Sequence, residues 1–408
     1  MTFFGILRDS PMAMMFVLVS LLNAFYGWRV FRNLGSGWTS LNQEPLKPEQ
    51  KRLIDQAAFF LGVPIGVLVH EMGHALMVLL FGGKIVDVGY GFYWGYVSHT
   101  GTYTASENWI IALAGTIGTL LYGVVMWLIF RRMRLTTYRY FALRVLRVHL
   151  YYALVFYPIF TLITRIGDWE IIYDFNLTPV LSGVTLAIHL SILALFYYGD
   201  RLGMFELPGF QSQAEQAQFE LLKTRVAQTP QDPVLQLTLV DAYRRGGAQH
   251  LADRQLKSYL KANPTSADGY LQMALLQVQN KNHIPSKAKD NALKALSFGL
   301  SEPLAVIQAN RIAGEYFLNV GKYKAAIEHF SQGITASKSA GRSDQTAHLH
   351  YQRAVAYRRQ SQYDLAFQDI EKAIQLARGI EQGRALSLYE SELATIQSHS
   401  GKASTMQV

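Results

Sequence analysis

Residues Ala57 to Phe81 read AAFFLGVPIGVLVHEMGHALMVLLF, an apolar run long enough to cross a bilayer, with His70, Glu71 and His74 inside it. A membrane helix needs about 20 predominantly apolar residues. An Asp, Lys or Arg near its centre costs about 2.5 to 3.5 kcal/mol on insertion scales, so ionisable groups there read as functional. On a helix, positions i and i+4 share a face, which lets His70 and His74 offer two imidazole nitrogens to one ion. Glu71 then stands beside that ion, about 100° round the helix. In HExxH sites the two histidines bind zinc and the glutamate takes a proton from water. A buried polar cluster without an ion is the plain alternative, and it leaves the cost of burial without an offset.

The rest of the chain divides into two kinds of material. Its 408 residues give room for two or three domains. Up to about residue 205 long apolar runs and aromatics dominate, whereas the remainder is rich in Gln, Ala, Lys and Ser. The absence of cysteine excludes disulfides, thiolate zinc sites and cysteine nucleophiles, so any metal must sit on histidine and carboxylate. The net charge of +9 comes largely from basic residues flanking apolar runs, a membrane pattern rather than a nucleic-acid face.

Apolar windows predict spans near 12 to 30, 57 to 81, 108 to 130, 143 to 164 and 178 to 199. The first is long, ends in Tyr26, Trp28 and Arg29, and reads as a retained helix rather than a cleaved signal. Arg32 to Gln56, with two Gly and two Pro, reads as a polar loop. Lys84 to Thr104 alternates apolar and polar residues and reads as short strands, whose edge suits pairing with an extended peptide. Arg29, Arg32, Lys47, Lys51 and Arg52 in one loop, and Arg131, Arg132, Arg134 and Arg139 in another, place those loops and the C-terminal domain in the cytoplasm.

From about residue 213 helix pairs recur. Tyr357, Tyr363, Ala366, Ile370, Ala373 and Ile374 match Phe317, Tyr323, Ala326, Phe330, Gly333 and Ile334 at a constant offset of 40. These resemble tetratricopeptide repeats, whose unit is about 34 residues, with the longer offset assigned to an inserted loop, SKSAGRSDQ. The expected fold is an α-helical membrane protein, with about five transmembrane helices and a short stranded segment, followed by an α-solenoid. Its parts are a membrane domain at 1–205, a linker and lead-in helix at 206–229, four repeats at 230–380 and a capping helix and tail at 381–408. Such an array offers a concave surface to a protein or peptide partner.

A catalytic zinc needs a third protein ligand. Asp168 in ITRIGDWEII is the leading candidate, because Gly167 permits a break that turns the carboxylate inward; Glu170, Asp174, His99, His149 and His189 are rivals. His189 reads as a helix-packing histidine and Asp174 as a loop or cap residue. With HEMGH, ALAG at Ala112 to Gly115 and GDW at Gly167 to Trp169 quoted, residues 57 to 176 resemble the site-2-protease-type intramembrane metalloproteases, the M50 group, and most closely its M50B-like branch. The resemblance implies one zinc on His70, His74 and Asp168, with Glu71 activating water to hydrolyse peptide bonds of membrane-protein substrates. It also implies that ALAG opens a helix, and that Thr116 and Thr119 stand where the family has Pro and Asn. The rival reading is a non-catalytic membrane-anchored scaffold for the repeats.

Overall fold

The first helix, α1 (Pro11–Leu41), runs well past the expected span, and α2 (Pro48–Phe60) follows after six residues. The stretch expected as a loop from Arg32 to Gln56 is therefore helical outside 42–47. Pro48 lies in the first turn of α2, where its missing N–H costs nothing, and the Gln50 side chain accepts the Lys47 amide at 2.9 Å. Lys51 is accordingly not a loop cation. It is buried, and its ammonium donates to the carbonyls of Leu207 (2.8 Å), Gly246 (3.0 Å) and Gly247 (2.8 Å). A buried ammonium needs such acceptors to offset its desolvation.

After one non-helical residue, α3 (Gly62–Leu80) carries the HEMGH sequence. The expected strands follow as an antiparallel hairpin of β1 (Lys84–Tyr90) and β2 (Gly95–Thr100), pairing Lys84 with Thr100 and Tyr90 with Gly95, with a bulge between Ile85 and Asp87. A capping box opens α4 (Ala105–Phe130): Glu107 N–H donates to Thr104 Oγ1, and Thr104 N–H donates to the Glu107 carboxylate. Next come α5 (Thr136–Tyr151), a π-helical turn (Tyr152–Phe156) and α6 (Tyr157–Thr164). The short α7 (Asp168–Ile172), the long α8 (Pro179–Arg201) and α9 (Gln213–Gln228) complete this part.

The architecture is that of a computed structural model describing residues 11–279, 281–379 and 383–405, without the side chains of 11–16, 384 and 400–405. Two compact units emerge, 1–224 with 245–251, and 225–244 with 252–408. Among the described residues four segments are long and apolar enough to cross a membrane: Pro48–Leu80, Ala105–Phe130, Thr136–Thr164 and Pro179–Arg201. They coincide with four of the five expected spans. The fifth falls on α1, partly on side chains outside the described residues.

The second unit is an array of helix pairs: α10 (Pro233–Arg245) with α11 (Gln249–Ala262), α12 (Ala267–Val278) with α13 (Ser286–Phe298), α14 (Pro303–Asn319) with α15 (Tyr323–Ser339), and α16 (Ser343–Arg359) with α17 (Tyr363–Gly379). A final helix, α18 (Gly383–Thr405), follows. Pairs begin at Pro233, Ala267, Pro303 and Ser343, so the spacing grows from 34 residues through 36 to 40 along the array. The extra residues do not form the expected loop. Ser337 to Ser339 finish α15, Ser343 to Gln345 open α16, and only 340–342 turn between them. Each of these helices is 17 residues long, about a turn more than the earlier ones, and the added turns are packed: Thr346 Oγ1 donates to the buried Ser337 Oγ at 2.8 Å. Alanines fill the spaces where helices meet, including Ala288, Ala292, Ala295, Ala326 and Ala366.

Candidate metal centre

His70 and His74 sit one turn apart on α3, both buried, with ring centroids 4.7 Å apart and nearly perpendicular. Opposite them α7 begins at Asp168. Its Oδ2 lies 2.9 Å from His70 Nε2 and 3.1 Å from His74 Nε2, and one ligand atom from each residue falls within 4.8 Å of the others. The chain reaches this arrangement through Gly167, whose φ of 128° is a left-handed conformation that side-chain-bearing residues rarely adopt. That break at the end of the fourth span was expected, and it turns the carboxylate towards the histidines.

Neighbouring groups fix both imidazoles. His74 Nδ1 lies 2.7 Å from the carbonyl of Ile111, which can only accept, so Nδ1 carries the proton. His70 Nδ1 lies 3.1 Å from Thr119 Oγ1, whose own hydroxyl donates to the Gly115 carbonyl at 3.2 Å. His70 Nδ1 is therefore also a donor. In the neutral rings the Nε2 atoms then bear lone pairs, and both lone pairs point at a carboxylate oxygen. Two lone pairs and an anion in one place repel unless a cation or added protons lie between them. The donor set of two imidazole nitrogens and one carboxylate fits zinc, and second-sphere contacts of this kind orient metal-binding histidines generally.

Residues Ala112 to Gly115 do not open a helix as expected. Thr104 caps α4 earlier, and the ALAG segment lies about two turns inside it, pressed on α3. A Cβ on Gly115 would stand 2.6 Å from His70 Nε2 and collide with His74 Nε2, so only glycine allows this approach. Thr119 is already committed to His70 and Gly115, so its hydroxyl orients a ring rather than standing free for substrate. Thr116 is buried, and its hydroxyl has no partner among the described residues.

Glu71 is buried beside the two histidines, within electrostatic reach of His70, His74 and Asp168. The hairpin covers it: a Cβ on Gly95 would lie 2.8 Å from Glu71 Oε1. Two tyrosines strap the hairpin to the end of α2 and the start of α3. Tyr90 Oη donates to the Pro64 carbonyl at 2.8 Å, and Tyr93 Oη donates to the Phe60 carbonyl at 2.9 Å. Pro64 has no N–H to give the carbonyl four residues before it, so the Tyr93 phenol supplies the missing donor.

The rivals for third ligand lie elsewhere. His189 bonds the Leu154 carbonyl (2.7 Å) and Tyr173 (2.5 Å), a packing role as expected. His149 bonds the Val145 carbonyl at 2.7 Å. Asp174 Oδ1 accepts the amides of Asn176 and Leu177, the turn role expected of it. Glu170 is exposed, and His99 stacks edge-on with Tyr103 on the hairpin. Sequence reading missed Tyr157, whose hydroxyl donates to Asp168 Oδ2 at 2.9 Å, and the ring-orienting part of Thr119. Thr119 follows Gly115 by four, a helical spacing that placed both on one face; nothing in the spacing linked Tyr157 to Asp168.

No protein-family model matches the chain, and no curated protein matches it in sequence. Among solved structures, it is similar to a signal transduction ATPase with numerous domains, bearing a tetratricopeptide repeat sensor, from Pyrococcus horikoshii. The identity is 16% and the TM-score 0.37, over 71% of this chain and 43% of that one. The chain thus spans less than half the length of that protein, and a likeness this distant bears neither on the fold nor on the site.

Proposed function

We propose that this chain is an integral-membrane zinc endopeptidase that hydrolyses peptide bonds in or near membrane segments of other proteins, with its repeat domain recruiting substrate or a regulator. The convergence of two Nε2 lone pairs and the Asp168 carboxylate on one point carries the reading. The four apolar segments, whose large side chains such as Leu121, Ile163 and Leu190 are exposed, support a lipid setting for it.

Zinc, when bound, supplies Lewis acidity that polarises the substrate carbonyl and makes water nucleophilic near neutral pH. His70, His74 and Asp168 would hold it. Glu71 is the base: its carboxylate takes the proton of the attacking water and hands it to the departing amine nitrogen. Ile111 and Thr119 keep both rings in the tautomer that leaves Nε2 free. The hairpin over Glu71 excludes bulk water and offers strand edges along which an extended substrate segment can hydrogen-bond.

The test uses the purified full chain in liposomes with a panel of single-span membrane substrates. Wild type is expected to contain one zinc and to cleave, Glu71→Gln to keep the zinc without cleaving, and His74→Ala to lose both. Zinc-free wild-type protein, or a Glu71→Gln form that cleaves normally, would end the hydrolase reading in favour of an anchored scaffold.

A further inference from the structure

Tyr157 stands at the junction of two unusual backbone features, and its hydroxyl makes two bonds to one residue. It donates to Asp168 Oδ2 at 2.9 Å and accepts from the Asp168 N–H at 3.1 Å. The same phenol thus fixes the carboxylate and the first amide of α7. Its ring also meets His70 edge-on, with centroids 5.5 Å apart.

The backbone on both sides is shaped for this contact. The π-helical turn Tyr152–Phe156 immediately precedes Tyr157. Such a turn inserts one residue into helical register, which rotates everything after it by about 100°. A regular helix through 152–156 would carry the phenol away from Asp168. On the other side, Gly167 leaves the space the hydroxyl occupies, since a Cβ there would stand 2.9 Å from Tyr157 Oη and 2.7 Å from Thr161 Oγ1. A π turn, a left-handed glycine and a doubly bonded phenol converge on one carboxylate.

We propose that Tyr157 is a positioning residue for the metal centre: it holds the Asp168 carboxylate in the orientation that faces the two Nε2 atoms and so sets how tightly zinc is held. The proposal rests on the zinc-peptidase reading. It differs from simple packing, because removal of the hydroxyl alone should change the metal's surroundings while the fold persists.

Tyr157→Phe deletes only the oxygen. In the full chain, zinc affinity measured against a chromophoric chelator should fall about tenfold to a hundredfold, the usual cost of losing a second-sphere partner, with one ion still bound at saturation. The visible spectrum of the cobalt-substituted protein should change. Tyr173→Phe, which removes a phenol bonded to His189 instead, should leave both readouts unchanged. Affinity within twofold of wild type overturns the proposal, as does a weaker site with an unaltered cobalt spectrum and a lowered melting temperature, which marks Tyr157 as structural only. If Tyr157→Phe fails to fold, 3-fluorotyrosine placed at 157 decides: its fluorine resonance should move and saturate at one equivalent of zinc, and a resonance that stays put overturns the proposal. Wild-type protein without zinc overturns the peptidase reading itself and the proposal with it, whereas zinc-loaded wild type beside an indifferent Tyr157→Phe overturns only the latter.

Discussion

The two units of this chain are built inside out relative to each other. In the first, the interior holds His70, Glu71, His74, Thr119, Thr161 and His189, while Leu121, Ile163, Leu190 and Leu195 lie on the outside. In the second, Ala274, Ala309, Ile312, Phe330 and Ile370 are inside. Removal of apolar surface from water organises the repeats. If the first unit lies in lipid, as proposed, leucine gains nothing by hiding there, and helices associate through close approach at small residues and through hydrogen bonds between polar groups. Gly115 against the imidazoles and Thr119 against His70 are examples of each. The lesson concerns where function can reside. In the first unit the polar groups that join helices are the same ones that would perform chemistry, whereas in the second they serve stability.

The largest expected effect tests that overlap. If Glu71 moves the proton, Glu71→Gln should lower cleavage by about 10²- to 10⁴-fold, the range for loss of general acid–base catalysis, while zinc content and hydrogen exchange of α3 stay as in wild type. Loss of the fold together with activity would instead make Glu71 a structural member of the bundle. The corresponding core change in the second unit is Phe330→Ala. Phe330 is fully buried between α14 and α16, and truncation should cost about 3 to 5 kcal/mol. Hydrogen exchange of repeat peptides in the full chain measures it. Cleavage of a substrate that does not require the repeats should be unaffected.

How much of this was legible in the sequence follows the same division. HEMGH and GDW could be read because chemistry fixes residue type and helical spacing fixes direction, and Gly167 announced its own turn. The hairpin was legible from alternation. Tyr157 was not, because its direction is set by the π turn just before it, which has no composition signature, and its partner lies eleven residues further on. ALAG was placed at a helix start because a likeness of motif says nothing of where Thr104 caps. Lys51 looked like one more flanking cation, since its acceptors are backbone carbonyls more than 150 residues distant, and carbonyls leave no trace in sequence. In the repeats the offset of 40 was plain. Its cause was misassigned, because polar residues such as Ser and Lys extend a helix as readily as they form a loop when one face still packs.

An intermediate effect asks whether the outside of the first unit faces lipid at all. Leu190 is 57% exposed near the middle of α8. In water Leu190→Lys would be nearly neutral, but at the centre of a membrane helix it should cost about 2.5 to 3.5 kcal/mol. Insertion of the Pro179–Arg201 segment into microsomal membranes reads that cost directly. Leu365→Lys on α17, at 43% exposure, is the matched control and should change the stability of the repeats by no more than about 0.5 kcal/mol. Equal, small effects at both positions would erase the contrast between the units.

The smallest effect concerns a place where the second unit imitates the first. Asp369 is buried on α17, accepting from Arg353 Nε (2.6 Å) and Nη2 (2.9 Å) and from His350 Nδ1 (2.8 Å). Burial by itself would raise its pKa, but the hydrogen bonds from Arg353 and His350 outweigh burial and hold it below the ordinary carboxylate value. The folded state therefore binds the proton less readily than the unfolded chain. Its stabilisation is complete above the unfolded pKa of about 3.9 and drains away as pH falls through the folded value. Asp369→Asn should cost about 1.5 to 3 kcal/mol at neutral pH, the range for hydrogen bonds to charged groups, and should flatten the acid limb of the repeat unit's stability below about pH 4. Hydrogen exchange of α16 and α17 across that range measures both. A variant with wild-type stability at pH 7 and an unchanged acid limb would show that this buried carboxylate is dispensable, and that apolar packing carries the repeats without it.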